Sequence, residues 1–337
     1  MEEISIKRIL EENEHKTLFE YAQFSDMSKG RKFPDNNCDL RTEFQIDRDR
    51  IIHSKSFRRL KDKTQVYVAP VGDHYRTRLT HTLEVTQVGR TIARCLRLNE
   101  DLVEAMCLAH DLGHTPFGHS GEDILNKISP LGFKHYEQSL RVVDYLERHN
   151  ENRGLNLTYE VRDGIINHTG DKKPETLEGY ILKFADRIAY LNHDIDDAIR
   201  GGYLDPAKIP KDILDDLGHS HGKRIDTLIR DIVTTSYGNN CVEQSDKIKK
   251  SMLRLREFMF ENIYWDERSK RESENIEKII SILYSHYLEN PQEMGVLDQY
   301  DKDENIHRIV TDYIAGMTDY FAVEKFKEIC IPKSLLR

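Results

Sequence analysis

The stretch AHDLGHTPFGHSGE, residues 109–122, sets His110, His114 and His119 among Asp111 and Glu122. One proline and three glycines interrupt any helix there. Imidazoles and carboxylates crowded beside a turn have two explanations. They form a polar loop rich in histidine, or they are one wall of a metal-centred site. His110 and Asp111, joined by His81 and Asp186 from elsewhere in the chain, would offer two imidazoles and two carboxylates. Such a mixed nitrogen and oxygen set suits Mn, Fe, Co, Ni or Zn, and Mg less naturally. His119 and Glu122 stand three apart, so a helix starting near Gly118 would turn both to one side.

These residues need elements to carry them. From Arg78 to Leu98, His81, Val85, Val88 and Ile92 recur on one face of a helix. Asn99, followed by Glu100 and Asp101, is the N-cap and acidic first turn expected of the next helix. There Val103, Cys107 and His110 share a face. Asp111 follows at the helix end, where Gly113 is expected to release the chain. GYILKFADRIAYLNHDIDDAI is helical again, with Ile181, Phe184, Ile188, Leu191 and Ile195 as its apolar stripe and Asp186 off it, one turn before Tyr190. The nearby pair His193–Asp194 lies in a polar run and reads as surface, or as support behind the ligands. A lone histidine on an apolar face is more often a hydrogen-bonded core residue than a ligand. What marks the first His-Asp pair is the apolar run before it and the glycine-punctuated turn after it.

The 337 residues, 38% of them apolar and 32% charged, are enough for a substantial core under a solvated helical surface. The expected organisation is mostly α: an N-terminal helix and irregular arm over 1–40, a catalytic core over 41–200, and a helical C-terminal region over 201–337 packing on it. TQVYVAP (64–70) and the turn VGDHY suggest one short β-hairpin, and three further helices are expected from Asp246 to about Lys327. No run approaches the roughly 18 apolar residues of a membrane span, and MEEISIKRIL lacks a leader's apolar stretch. Five scattered cysteines form no disulfide framework, so a cytoplasmic location is expected. A net charge of −9 argues against a general nucleic-acid binder. It leaves room for a small anion held by local cations, such as Arg58, Arg59, Lys61 and Lys63 in FRRLKDK, or Arg76 and Arg78.

RLTHTLEV, AHDLGHTPFGHSGE and KFADRIAYLNHDI, in this order, resemble the HD-domain superfamily. Together with RDRIIHSKSFRRLKDKTQVY they are similar to its deoxynucleoside triphosphate triphosphohydrolases, the dGTPase-like branch. The likeness runs from about Arg41 to Ile199 and resumes at DYIAGMTDYFA (312–322). It implies an HD-domain helical bundle with additional C-terminal helices. It also implies one divalent metal on His81, His110, Asp111 and Asp186, with Mg as a further phosphate-bound ion. The implied reaction is attack of water on the α-phosphorus of a dNTP, giving deoxynucleoside and inorganic triphosphate. His119 and Glu122 would handle protons, with His114 and His135 at the phosphates or leaving group. Arg78, Arg187 and Tyr190 would contact phosphate or sugar, Gln65 the 3′-hydroxyl, and Asp319 with Tyr320 would close over the nucleotide. A preference for dGTP is implied by analogy alone.

The same likeness implies a homo-oligomer with a nucleotide activator at subunit interfaces, and the FRRLKDK cluster leaves room for weak single-stranded nucleic-acid binding. Two other readings compete. One is an HD-type phosphodiesterase or nucleotidase, which would release orthophosphate or a nucleotide. The other is a nucleotide-sensing or single-stranded nucleic-acid-binding protein whose metal is structural.

Overall fold

The computed structural model describes residues 5–36, 38–65, 76–149, 152–264 and 267–332. Ser5 caps α1 (Ile6–Thr17) by accepting from the Arg8 amide. The irregular arm that follows is fastened by Arg31, which pairs with Glu43 and Asp47 of α2 (Glu43–Ile52). Buried Asp47 also accepts the amide and hydroxyl of Thr158, at 2.9 and 2.6 Å. The short α3 (Lys55–Arg59) leads into the residues before the site.

Thr77 caps α4 (Arg78–Leu96), and the left-handed Arg97 (φ 56°) ends it. The Asn99 side chain accepts from the Leu102 amide and starts α5 (Glu100–Ala109), as its sequence predicts. Gly89 lets the two helices close on each other. A Cβ there would stand 2.9 Å from Val103 Cγ1 and 3.1 Å from Cys107 Sγ. Then come α6 (Gly118–Ile128), α7 (His135–Arg141), a two-stranded hairpin of β1 (Arg148–His149) and β2 (Asn152–Arg153), α8 (Tyr159–Asn167) and α9 (Leu177–Arg200). The C-terminal region supplies α10 (Lys211–Leu217), α11 (His221–Ser236), α12 (Asp246–Met259), α13 (Glu267–Glu289), α14 (Ile306–Ala315) and α15 (Asp319–Cys330).

Two apolar clusters organise these helices. The larger centres on α4, α5 and α9, whose Val85, Ile92, Val103, Cys107, Ile188 and Ile195 are all buried, and it extends to α12. The smaller joins Phe117, Leu125 and Phe133 to Ile280, Leu283, Val310 and Ile314, packing α6 against α13 and α14. Residues 110–117 run from one cluster to the other, and this path sets the site.

Three details differ from the sequence reading. The described hairpin is at 148–153, whereas the strand expected at 64–70 and its turn lie, from residue 66, outside the described residues. Thr64, at its start, pairs antiparallel with Thr77. Four helices, rather than three, lie between Asp246 and Cys330 among the described residues, because the chain breaks at Gly316–Met317 and Thr318 caps a new helix. Gly113 is not a left-handed helix terminator. It is small because α7 sits on it: a Cβ would lie 2.1 Å from the Ser139 nitrogen. The Gly113 amide donates to Ser139 Oγ at 2.9 Å, and that hydroxyl donates to the His110 carbonyl at 2.7 Å.

Gly113→Ala should therefore push α7 off the turn and cost roughly 1–3 kcal/mol or more, as overpacking does. Gly222→Ala, where a Cβ meets nothing within 4 Å, should leave stability unchanged or slightly raised. Denaturant unfolding of the two variants checks the contrast. Equal midpoints would show that the α7 contact is soft.

Candidate metal and proton-transfer site

The inward stripe of α4 brings His81 into the interior one turn from the helix start, and α5 delivers His110 at its C-terminal end. Asp186 reaches the same place from the middle of α9. His81 Nε2 lies 3.2 Å from Asp186 Oδ1. His110 Nε2 lies 3.8 Å from that oxygen and 3.6 Å from Asp111 Oδ2. The structure thus brings together all four residues expected as ligands.

The tautomer of His110 follows from its other nitrogen. Nδ1 is 2.6 Å from the Cys107 carbonyl, which can only accept, so Nδ1 carries the proton and Nε2 presents a lone pair. That Nε2 is buried and has no hydrogen-bond partner. An unpaired buried nitrogen beside two carboxylates is costly unless a cation serves it. His81, His110 and Asp186 offer ligand atoms within 4.8 Å of one another and could hold a metal ion, with Asp111 Oδ2 3.6 Å from His110 Nε2. Burial alone would raise the pKa of Asp111, but His110, Arg78, His114 and His81 outweigh it and hold the carboxyl well below the usual range. Asp186 is likewise held low against burial by its bond to His81 and by His110. Arg78, itself buried, donates from Nη1 to Asp111 Oδ2 at 2.7 Å and from Nη2 to the Gln65 carbonyl at 3.3 Å.

Beside this cluster Glu122 gathers three imidazoles. It accepts from the His135 amide at 2.9 Å and from His135 Nδ1 at 2.8 Å. His114 Nε2 is 3.6 Å away and His119 Nδ1 3.8 Å. Burial opposes ionisation of Glu122, yet bonding to His119 and His135 drives its pKa far below that of a free carboxyl. His135 is raised in turn, because Glu122 outweighs the burial of its ring. His114 is pushed well down by burial and by Arg78 and His135, and both of its ring nitrogens are unpaired. His119 differs from the others: its side chain is 63% exposed and opens to solvent.

The residues expected to touch substrate are placed unequally. Gln65 is buried with Oε1 unpaired, and its carbonyl lies against Gly118, where a Cβ would stand 2.7 Å away. Arg187 and Tyr190 follow Asp186 on α9, and burial raises the Tyr190 pKa despite the neighbouring Arg256. Both carboxylate oxygens of Asp319 are occupied within the protein. Oδ2 accepts the Thr64 amide and hydroxyl at 3.0 and 2.7 Å, and Oδ1 accepts the Phe117 amide at 2.9 Å. Tyr320 is exposed.

The cationic cluster seen in the sequence does not survive as a single patch. Arg58, Arg59 and Lys61 are exposed, whereas Lys63 is buried and donates to the carbonyls of His114 and Ala315. Burial, with Arg59 and Arg78 nearby, pushes the Lys63 pKa down to about 7. Arg76 is taken up by Glu84, Asp196 and Asp197. His193 and Asp194 are buried rather than at the surface. The His193 ring stacks on His221 with centroids 5.2 Å apart, and its Nδ1 is 2.8 Å from Glu84. A polar run can be buried where α9 is covered on several sides.

His168, at the end of α8, escaped the sequence reading. It is buried, its Nδ1 is 2.7 Å from the Ile165 carbonyl, and its Nε2 is 3.3 Å from His135 Nε2. Burial, with His110 and His135 close by, lowers its pKa to about 4. Its only signal was a histidine ending the apolar periodicity of YEVRDGIIN, too common a pattern to single out.

Residues 78–191 match the HD domain family, and residues 242–328 match the phosphohydrolase-associated domain. A deoxyguanosinetriphosphate triphosphohydrolase-like protein of Caldanaerobacter subterraneus subsp. tengcongensis is 53% identical over 98% of this chain and 97% of that one. One of the same description from Clostridium perfringens is 48% identical over 99% of this chain and all of its own. Among solved structures, a phosphohydrolase from Bacteroides thetaiotaomicron shares the fold, with a TM-score of 0.52 at 17% identity over 85% of this chain and 69% of that one. No helix among the described residues is long and apolar enough to cross a membrane.

Mn2+ added at about 100 times its dissociation constant should stabilise the folded chain by about 2.7 kcal/mol, reversed by chelator. Asp186→Ala should abolish the shift. Thermal melts with and without Mn2+ measure it, and an undiminished shift in that variant would place the ion elsewhere.

Proposed function

This chain belongs to the HD-domain family of deoxyguanosinetriphosphate triphosphohydrolase-like proteins, metal-dependent phosphohydrolases, and we propose that it cleaves a dNTP at the α-phosphorus to deoxynucleoside and inorganic triphosphate. The observation that carries the reading is one cluster of side chains in which the unpaired His110 Nε2 faces the carboxylates of Asp111 and Asp186, beside the Glu122 group. His81, His110, Asp111 and Asp186 would hold the ion, whose chemistry is to polarise a phosphoryl oxygen and acidify a water.

The other side chains divide the remaining work. Arg78 brings a buried positive charge to the phosphates. Glu122 stays ionised despite burial, so its part is electrostatic: it holds His135 toward its protonated form. His119, open to solvent and 3.8 Å from Glu122, is placed to give a proton to the departing sugar oxygen. His114 has free ring nitrogens for a phosphate oxygen, and His135 lies stacked beside it at 4.8 Å. Gln65 Oε1 is an unpaired buried acceptor suited to the 3′-hydroxyl. Tyr190 would pack under the sugar, with Arg187 beside it. Asp319 acts from behind, by holding Thr64 and Phe117, instead of touching the nucleotide.

Each dNTP incubated with the Mn2+-loaded protein should yield deoxynucleoside and tripolyphosphate on separation of the products. Orthophosphate or a nucleotide product would replace this reading with a phosphodiesterase or nucleotidase. Glu122→Gln should retain the ion on His81, His110, Asp111 and Asp186 while losing at least about 100-fold in kcat. A substrate lacking the 3′-hydroxyl should lose about 10- to 100-fold in kcat/KM, the cost of leaving a buried acceptor unpaired. Gln65→Ala should remove that discrimination, and a discrimination that survives would assign the 3′-hydroxyl to another residue.

A further inference from the structure

Lys63 is a buried amine to which the proposed reaction gives no task. It donates to the His114 carbonyl and, at 2.8 Å, to the Ala315 carbonyl at the end of α14. Burying an amine to meet two neutral acceptors is costly where an apolar side chain would simply pack. What the amine adds is direction, since each bond fixes where a carbonyl points. The tie does not depend on charge. Burial, with Arg59 and Arg78 nearby, brings the pKa to about 7, and the neutral amine keeps two hydrogens for two carbonyls.

His114 needs that direction from its backbone. Both of its ring nitrogens are unpaired, so no hydrogen bond of its own turns the imidazole. Its amide donates to the Asp111 carbonyl at 3.1 Å, and its carbonyl is held by Lys63. With both ends of the residue pinned, φ and ψ are set and the Cα–Cβ bond has one direction. Stacking on His135, with centroids 4.8 Å apart, limits the rotation that is left. The backbone carbonyl of Lys63 meanwhile accepts the Arg78 amide at 3.0 Å, at the start of α4.

One residue thus reaches both groups proposed to meet the phosphates. We propose that Lys63 is a positioning residue that sets the spacing of His114 and Arg78, with the end of α14 as its support. Its side chain acts through the His114 backbone and touches neither substrate nor ion. The inference rests on the proposed reaction for what His114 does there. It gives the C-terminal region a share in turnover, because the Ala315 carbonyl completes the tie.

Steady-state turnover and histidine NMR of the full chain test the assignment. Lys63→Met should keep its bound Mn2+ and a KM within about twofold, while kcat falls at least about tenfold, the cost of a misplaced group. Placed on His114→Ala, the same change should cost less than about twofold, since the ring it aims is gone. Equal losses in the two backgrounds would reveal a general loosening and overturn the assignment, as would an unchanged kcat in Lys63→Met alone. Lys63→Gln, whose shorter side chain cannot span both carbonyls, serves the same comparison should Lys63→Met not fold. With ring-labelled histidine, the His114 resonance, identified by its loss in His114→Ala, should move in either Lys63 variant. That of His193, stacked on His221, should stay. A fixed His114 resonance would overturn the positioning role whatever the products are. A product other than tripolyphosphate would overturn the proposed reaction, while a moved resonance would still support the positioning role.

Discussion

Ionised carboxylates inside a helical protein are the constraint from which the rest of this structure follows. Asp111, Asp186 and Glu122 are each held below their ordinary pKa despite burial, which requires positive charge or donors around every one of them. Arg78, the histidines and the amide of His135 supply part of that requirement. The unmet part, marked by the bare Nε2 of His110, is what makes the cluster a receptor for a cation. Affinity for metal and the cost of burial are two descriptions of the same imbalance.

Holding those groups together takes both apolar clusters. The first aligns α4, α5 and α9, so the initial ligands converge by helix packing alone. The second grips α6, which carries His119, and, through Phe117, the turn that carries His114. Between them Lys63 donates to the carbonyls of His114 and Ala315, and Asp319 ties Thr64 to Phe117. These ties are buried or partly buried polar contacts with directional geometry. They fix orientation in a way that apolar packing by itself would leave loose.

Much of this was legible in the sequence, for identifiable reasons. Periodicity placed His81 and His110 on inward faces, and Asn99 announced the start of α5, because helix faces and caps are local properties. The likeness to known HD-domain proteins gave Asp186 and Glu122 their expected roles and added His135, which no local pattern singles out. Partnership was not legible. Arg76 and Lys63 looked like cations for a phosphate, but acidic groups on α9 and two distant carbonyls had claimed them. His193 and Asp194 looked solvated because their neighbours in the chain are polar, yet helix packing around α9 covers them. Gly113 was read as a helix terminator when the real demand on it comes from the backbone of α7. His168 stayed hidden because a histidine at the end of one helix gives no sign of the ring it will face.

Phe117 and Gly118 are consecutive residues with positive φ, 62° and 59°, and the amide of the first is held by a carboxylate that follows it by two hundred residues. The turn at 113–118 is therefore completed only once the far end of the polypeptide has folded against it. A nascent or truncated chain ending before Thr318 would contain every ligand and proton carrier proposed above and still lack the clasp that shapes the turn between them. The last helix is in this sense heritable only together with the motif it serves, and an exchange of C-terminal segments between relatives would have to carry a carboxylate to the same spot.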